Sequence, residues 1–87
     1  MSTIFFGDDF GELSEIYAKI APLIASENSK MKFFSAPEEC AEEYEAEVPG
    51  LSIYNSKEDK FNHFEGDEEE AIIRKFIYEN INNGLNL

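Results

Sequence analysis

The sequence predicts an α/β domain with a four-stranded mixed sheet, on three observations. Short apolar runs alternate with longer stretches in which apolar residues recur every three or four positions. The first two runs are separated by one such helical stretch, and a strand–helix–strand unit closes with its strands parallel and its crossover right-handed. The last two runs are joined by a short polar segment, which makes them an antiparallel hairpin. The resulting order is β-α-β-α-β-β-α. The most economical sheet puts the hairpin beside the first strand, giving the spatial order 2-1-3-4 with helices on both faces.

Thr3 to Phe6 reads as the first strand, apolar toward both faces and therefore an inner strand. Asp8 or Asp9 is positioned to cap the next helix. Its apolar residues Phe10, Leu13, Ile16, Tyr17, Ile20, Leu23 and Ile24 follow the helical period, and Pro22 is expected to kink it or end its regular part. Ser26 to Ser29 is a polar connection. Met31 to Ser35 is the second strand, with Lys30 and Lys32 protecting an edge.

Pro37 fits the first turn of a second helix. Cys40, Ala41, Tyr44 and Val48 form its apolar stripe, glutamates fill its other sides, and Pro49-Gly50 ends it. Leu51 to Tyr54 and Phe61 to Phe64 are the hairpin strands around the turn Asn55 to Lys60. Gly66-Asp67 opens the last helix, with Asp67 and Glu70 spaced as a capping box. Ala71, Ile72, Ile73, Phe76, Ile77 and Ile81 are its buried side, and Gly84 is its stop.

The 87 residues make one domain, with 43% apolar residues including eight Phe and four Tyr. Nineteen acidic and seven basic residues give a net charge of −12, which repels phosphate backbones and argues against nucleic acid as a partner. One cysteine, Cys40, rules out an internal disulfide, a Cys-x-x-Cys pair and a thiol-rich zinc site. No run approaches the ~20 apolar residues that span a bilayer, so no membrane partner is expected. The first residues lack the basic region of a signal peptide, and Asp8-Asp9 cuts the apolar run short.

From Tyr44 onward the pattern resembles a known family. A Tyr at the end of a helix (Tyr44), a Gly before an apolar strand (Gly50, Leu51 to Tyr54) and a polar hairpin turn (Asn55 to Lys60) come first. Phe64-Glu65-Gly66 and an acidic helix with Phe76-Ile77 near its end follow. Together they resemble the non-catalytic, thioredoxin-like b-type domains of protein disulfide isomerases, and the opening strand and helix resemble the second such pair of that family. The family's first strand and helix have no counterpart here, so the resemblance implies either a piece of a longer multidomain protein or a shortened domain. The family's proline after the last helix is also missing, with Asn82-Asn83-Gly84 in its place. Pro49 lies near the cis-proline of redox-active thioredoxins, while the b-type register puts it in the loop before Gly50, and its isomer stays open.

The resemblance implies a redox-inactive spacer of the endoplasmic reticulum lumen, without a cofactor or enzymatic activity of its own. Its implied partners are neighbouring thioredoxin-like domains and unfolded or partly folded clients. Phe33, Phe34, Tyr54, Phe61 and Phe64 supply more aromatic area than four strands hide, and are the candidate contact residues. In thioredoxin-like oxidoreductases the thiol pair sits where the first strand here meets its helix. This chain has Phe10-Gly11-Glu12-Leu13 there, with Phe10 and Leu13 expected to anchor the helix on the sheet.

No catalytic or metal residue is expected. Cys40 reads as a buried, inert thiol. His63, the single histidine, has no second His or Cys for zinc, and no serine or cysteine is placed in sequence to pair with it. The carboxylates lie on solvated helix faces, where weak calcium binding is the alternative to a plain polar surface. Two rival functions follow from the charge: an acidic calcium-buffering module similar to the domains of calsequestrin, and an acidic inhibitor or nucleic-acid mimic.

Overall fold

A computed structural model describes residues 1–7 and 11–85. It contains β1 (Ser2–Phe6), α1 (Glu12–Glu27), β2 (Lys32–Ala36), α2 (Glu38–Glu43), β3 (Gly50–Asn55), β4 (Lys60–His63) and α3 (Glu70–Leu85). The strands form one sheet in the order β2-β1-β3-β4. β1 runs parallel to β2 and antiparallel to β3, and β3 pairs antiparallel with β4. Order and directions are those the sequence predicts. The expected caps Asp8 and Asp9, and the expected anchor Phe10, lie outside the described residues.

Alternation along the strands divides the side chains between two unlike faces. One face carries Thr3 and Phe5 of β1 with their opposite numbers Ile53 and Leu51 of β3. α1 and α3 cover it with Leu13, Tyr17, Ile20 and Ile24 from one helix and Ile73, Ile77 and Ile81 from the other, all buried. Lys19 on α1 reaches Glu70 on α3 at 2.9 Å, and the Tyr78 hydroxyl donates to Glu27 at 2.6 Å. These exposed contacts set the helix pairing, while the apolar seam beneath them supplies most of the stability.

The other face carries Ile4 and Phe6 of β1, Phe34 of β2, Ser52 and Tyr54 of β3, and Phe61 and His63 of β4. α2 has only six residues and buries only Ala41. It lies by the C-terminal end of β1, where Phe6 meets Tyr44 at 6.0 Å between ring centroids. The expectation of a long apolar stripe on this helix is therefore corrected. Tyr44 and Val48 are exposed and Cys40 is half-buried rather than enclosed.

The helix stops early because Glu45 adopts φ 56°. The Ala46 and Glu45 amides then bond back to Ala41 (2.9 Å) and Glu42 (3.2 Å), a Schellman closure made without glycine.

Three further expectations change. α1 continues past Pro22 to Glu27, because Ala21 and Ile24 on either side of the proline are both buried on the sheet. α3 begins at Glu70, with the Ile73 amide bonding to Glu69, so Asp67 is not its cap. It runs to Leu85, through Gly84 rather than stopping there. The Val48–Pro49 bond, left open above, is cis.

Tyr17 ties α1 to the sheet through its hydroxyl, which lies 2.7 Å from the Phe34 carbonyl and 3.1 Å from that of Thr3. Burial pushes its ionisation well above the ordinary tyrosine range. The folded state therefore keeps a proton that the unfolded state loses. That contribution is full below pH ~10 and is lost above it, at a limiting slope of about 1.4 kcal/mol per pH unit. Urea unfolding followed from pH 9 upward should show stability falling above about pH 10. Tyr17→Phe should flatten the decline, leaving the smaller share of half-buried Tyr54 and Tyr78, whose ionisation is raised by hydrogen bonds to Asp59 and Glu27.

Candidate functional site

Two places compete as the functional site: the junction between β1 and α1, and the face of the sheet that α2 leaves open. At the junction, Leu13 and Pro49 line a cavity of about 270 Å³ together with Glu47, Glu65 and Glu68. Its described lining contains no thiol, hydroxyl or imidazole side chain, the usual nucleophiles toward a disulfide or a carbonyl. Leu13 is buried in the main core, as an anchor of the helix should be. Cys40 belongs to α2 and does not line this cavity.

The open face is built from β-strand alternation. Phe34, Ile4, Ser52 and His63 form one row across all four strands, and Lys32, Ser2, Tyr54 and Phe61 form the next. Tyr54 and Phe61 lie 4.8 Å apart between centroids, Phe61 and Tyr44 5.0 Å, and Phe61 and His63 6.3 Å with rings nearly parallel. These rings, ending at Phe6 under Tyr44, are an aromatic ledge along one side of the face. Phe34 stands apart on the edge strand β2 and is 51% exposed, which leaves most of one ring face in water. The outer edge of β2 has no strand beside it in the described sheet, so backbone hydrogen-bonding groups lie next to that ring.

The candidate contact residues separate on this geometry. Phe34, Tyr54 and Phe61 share the open face. Phe33 and Phe64 turn to the covered one: Phe33 packs against Tyr17 at 6.1 Å, and Phe64 meets Phe76 edge-on at 5.3 Å. Ile4 and Tyr44 join the open face without having been singled out for it. The strand register gives the signal for Ile4, because it is Phe34's direct neighbour on β1.

One pairing corrects the expectation that no serine is placed to pair with His63, while leaving its role structural. Its Nδ1 shares a hydrogen bond of 2.6 Å with the Ser52 hydroxyl, eleven residues earlier and directly opposite on β3. The hairpin register brings them together. The pair lacks what a catalytic dyad needs. Ser52 is 1% exposed, so a substrate carbonyl cannot reach its oxygen. The contact instead satisfies a buried hydroxyl that would otherwise lack a partner, and among the described residues no buried side-chain nitrogen or oxygen is left without one.

The charges are unevenly spread along the chain. Residues 33–56 and 61–73 contain no lysine or arginine, and they carry the carboxylates of α2 and of the approach to α3. Among the described residues no three His, Cys, Asp or Glu side chains converge as a metal site, and no helix is long and apolar enough to cross a membrane. Compared with protein-family models, curated proteins and solved structures, the chain matches none.

Proposed function

We propose that this domain is a non-catalytic binding module of the protein disulfide isomerase type, which holds apolar segments of client or neighbouring proteins on its open sheet face. The observation that carries this reading is Phe34. It is a large aromatic, half in water, on the edge strand of the sheet and on the face that the short α2 leaves largely open. An extended segment could pair with the edge of β2 while its side chains rest on Phe34 and Ile4, and main-chain hydrogen bonds of this kind accept many sequences. The net charge of −12 selects neutral or basic segments over acidic ones. The resemblance of the sequence to b-type domains supports the same role, and with it a place in the endoplasmic reticulum lumen and no isomerase chemistry in this chain.

The calcium-buffering reading rests on charge alone, and among the described residues the carboxylates do not gather into a site. Titration of the isotope-labelled protein with an unfolded apolar peptide separates the two by NMR. Shifts confined to β2, Ile4 and the Tyr54–Phe61 ledge support the binding module. Shifts at residues 38–47 and 67–70 with calcium alone would replace it by the buffering reading.

A further inference from the structure

The largest departure from the protein's acidic character is a cavity of about 360 Å³ at the end of the sheet where β1 begins, bounded by the α1–β2 turn, the β3–β4 turn and α3. Its apolar lining is Met1, Met31 and Ile81, continuous with the main core. The remainder comes from the two turns and includes Ser29, Lys30, Ser56 and Lys57. No carboxylate side chain is among the described lining residues, although carboxylates outnumber cations nearly three to one in the chain.

The two lysines are also uncommitted. The helix cations Lys19, Arg74 and Lys75 each lie within 4.0 Å of a glutamate, whereas Lys30 and Lys57 have no such partner among the described residues. Glu27 and Asp59, on the flanking α1 end and hairpin turn, are engaged by the hydroxyls of Tyr78 and Tyr54.

We infer that this cavity is a binding site for a small amphipathic carboxylate, its charge held by Lys30 and Lys57 and its apolar part lying against Met31 and Ile81. Two ammonium groups beside an apolar floor fit one compact anion attached to a short hydrocarbon or single ring. The volume is near the lower end of the range for small-molecule sites, roughly 300–1,000 Å³. Lys30 and Lys57 line the cavity itself, whereas Glu27, Glu58 and Asp59 flank its turns without lining it. Polyanions extend out of the cavity toward those carboxylates and are disfavoured. A free fatty acid and the C-terminus of a peptide present the same chemistry, and a protein-folding module could meet either.

The test is an NMR titration of the isotope-labelled chain with hexanoate, with N-acetyl-leucine as the peptide-terminus analogue and hexanamide as the neutral control. Saturable shifts at Ser29, Lys30, Ser56, Lys57 and Ile81 are expected with one or both carboxylates at millimolar concentration, the tighter one naming the source. Hexanamide should bind at least ~10-fold more weakly. Lys30→Gln combined with Lys57→Gln should weaken carboxylate binding by a similar factor while leaving the rest of the spectrum unchanged, because both side chains are exposed. No saturable shift with either carboxylate, or equal binding of hexanamide, would overturn the site.

Discussion

Phe5→Ala is expected to remove about 3–5 kcal/mol of stability, in the range of large aromatic truncations in a packed core. Phe5 is 2% exposed on an inner strand, stacks on Tyr17 at 5.6 Å between centroids, and sits opposite Leu51 on β3. Its ring therefore joins α1 to both β1 and β3, and removing it opens a void that neither backbone can collapse into. A domain of this size has roughly 4–13 kcal/mol in all, at 0.05–0.15 kcal/mol per residue. The variant should unfold at a much lower urea concentration, or be partly unfolded without urea. A loss below ~0.5 kcal/mol, the range of surface substitutions, would mean that the sheet is not packed through this ring.

Gly50→Ala should be the next most damaging change, at about 2–3 kcal/mol. A Cβ at this position would overlap the carbonyl oxygen of Glu47 and come within 2.9 Å of its carbonyl carbon. Both are backbone atoms, so no rotamer change relieves the clash. Gly50 also faces Phe6 in the β1–β3 ladder, so displacement there enters the central pair of the sheet. Urea unfolding measures the loss, and amide shifts at Glu47 and Phe6 locate its origin. Wild-type stability in this variant would show that the loop before β3 yields easily.

The sheet order was legible because its determinants are short-range. A helix between β1 and β2 forces a parallel pair, a polar turn between β3 and β4 forces a hairpin, and both faces of Ile4-Phe5-Phe6 are apolar. The strand bounds shifted by a residue at most ends, since fraying strands have no sharp chemical marker. The length of α2 was not legible. Its stop depends on Glu45 in a left-handed conformation, a place where sequence rules look for glycine. The start of α3 was misread for the converse reason, because Asp67 and Glu70 have capping spacing but the chain turns once more, with the Glu69 amide bonded to the Asp67 carbonyl, before the helix begins.

The site was half legible. That aromatic residues exceed what the sheet can hide follows from composition. Which rings face outward depends on strand parity, and parity became certain only with the register. Phe33 and Phe34 are adjacent in sequence, yet one packs on Tyr17 and the other stands in water. The Ser52–His63 pair also came from register: eleven residues of separation say nothing until the hairpin closes.

That adjacency allows the most direct test of the binding proposal: the affinity for an unfolded apolar peptide and the urea midpoint, measured in parallel for Phe33→Ala and Phe34→Ala. Phe34→Ala is expected to weaken peptide binding at least ~10-fold and to change stability by no more than ~1 kcal/mol. Phe33→Ala should do the reverse, losing stability while the folded fraction binds normally. Unchanged binding by Phe34→Ala, or equal loss of binding in both variants, would contradict a binding site on the open face.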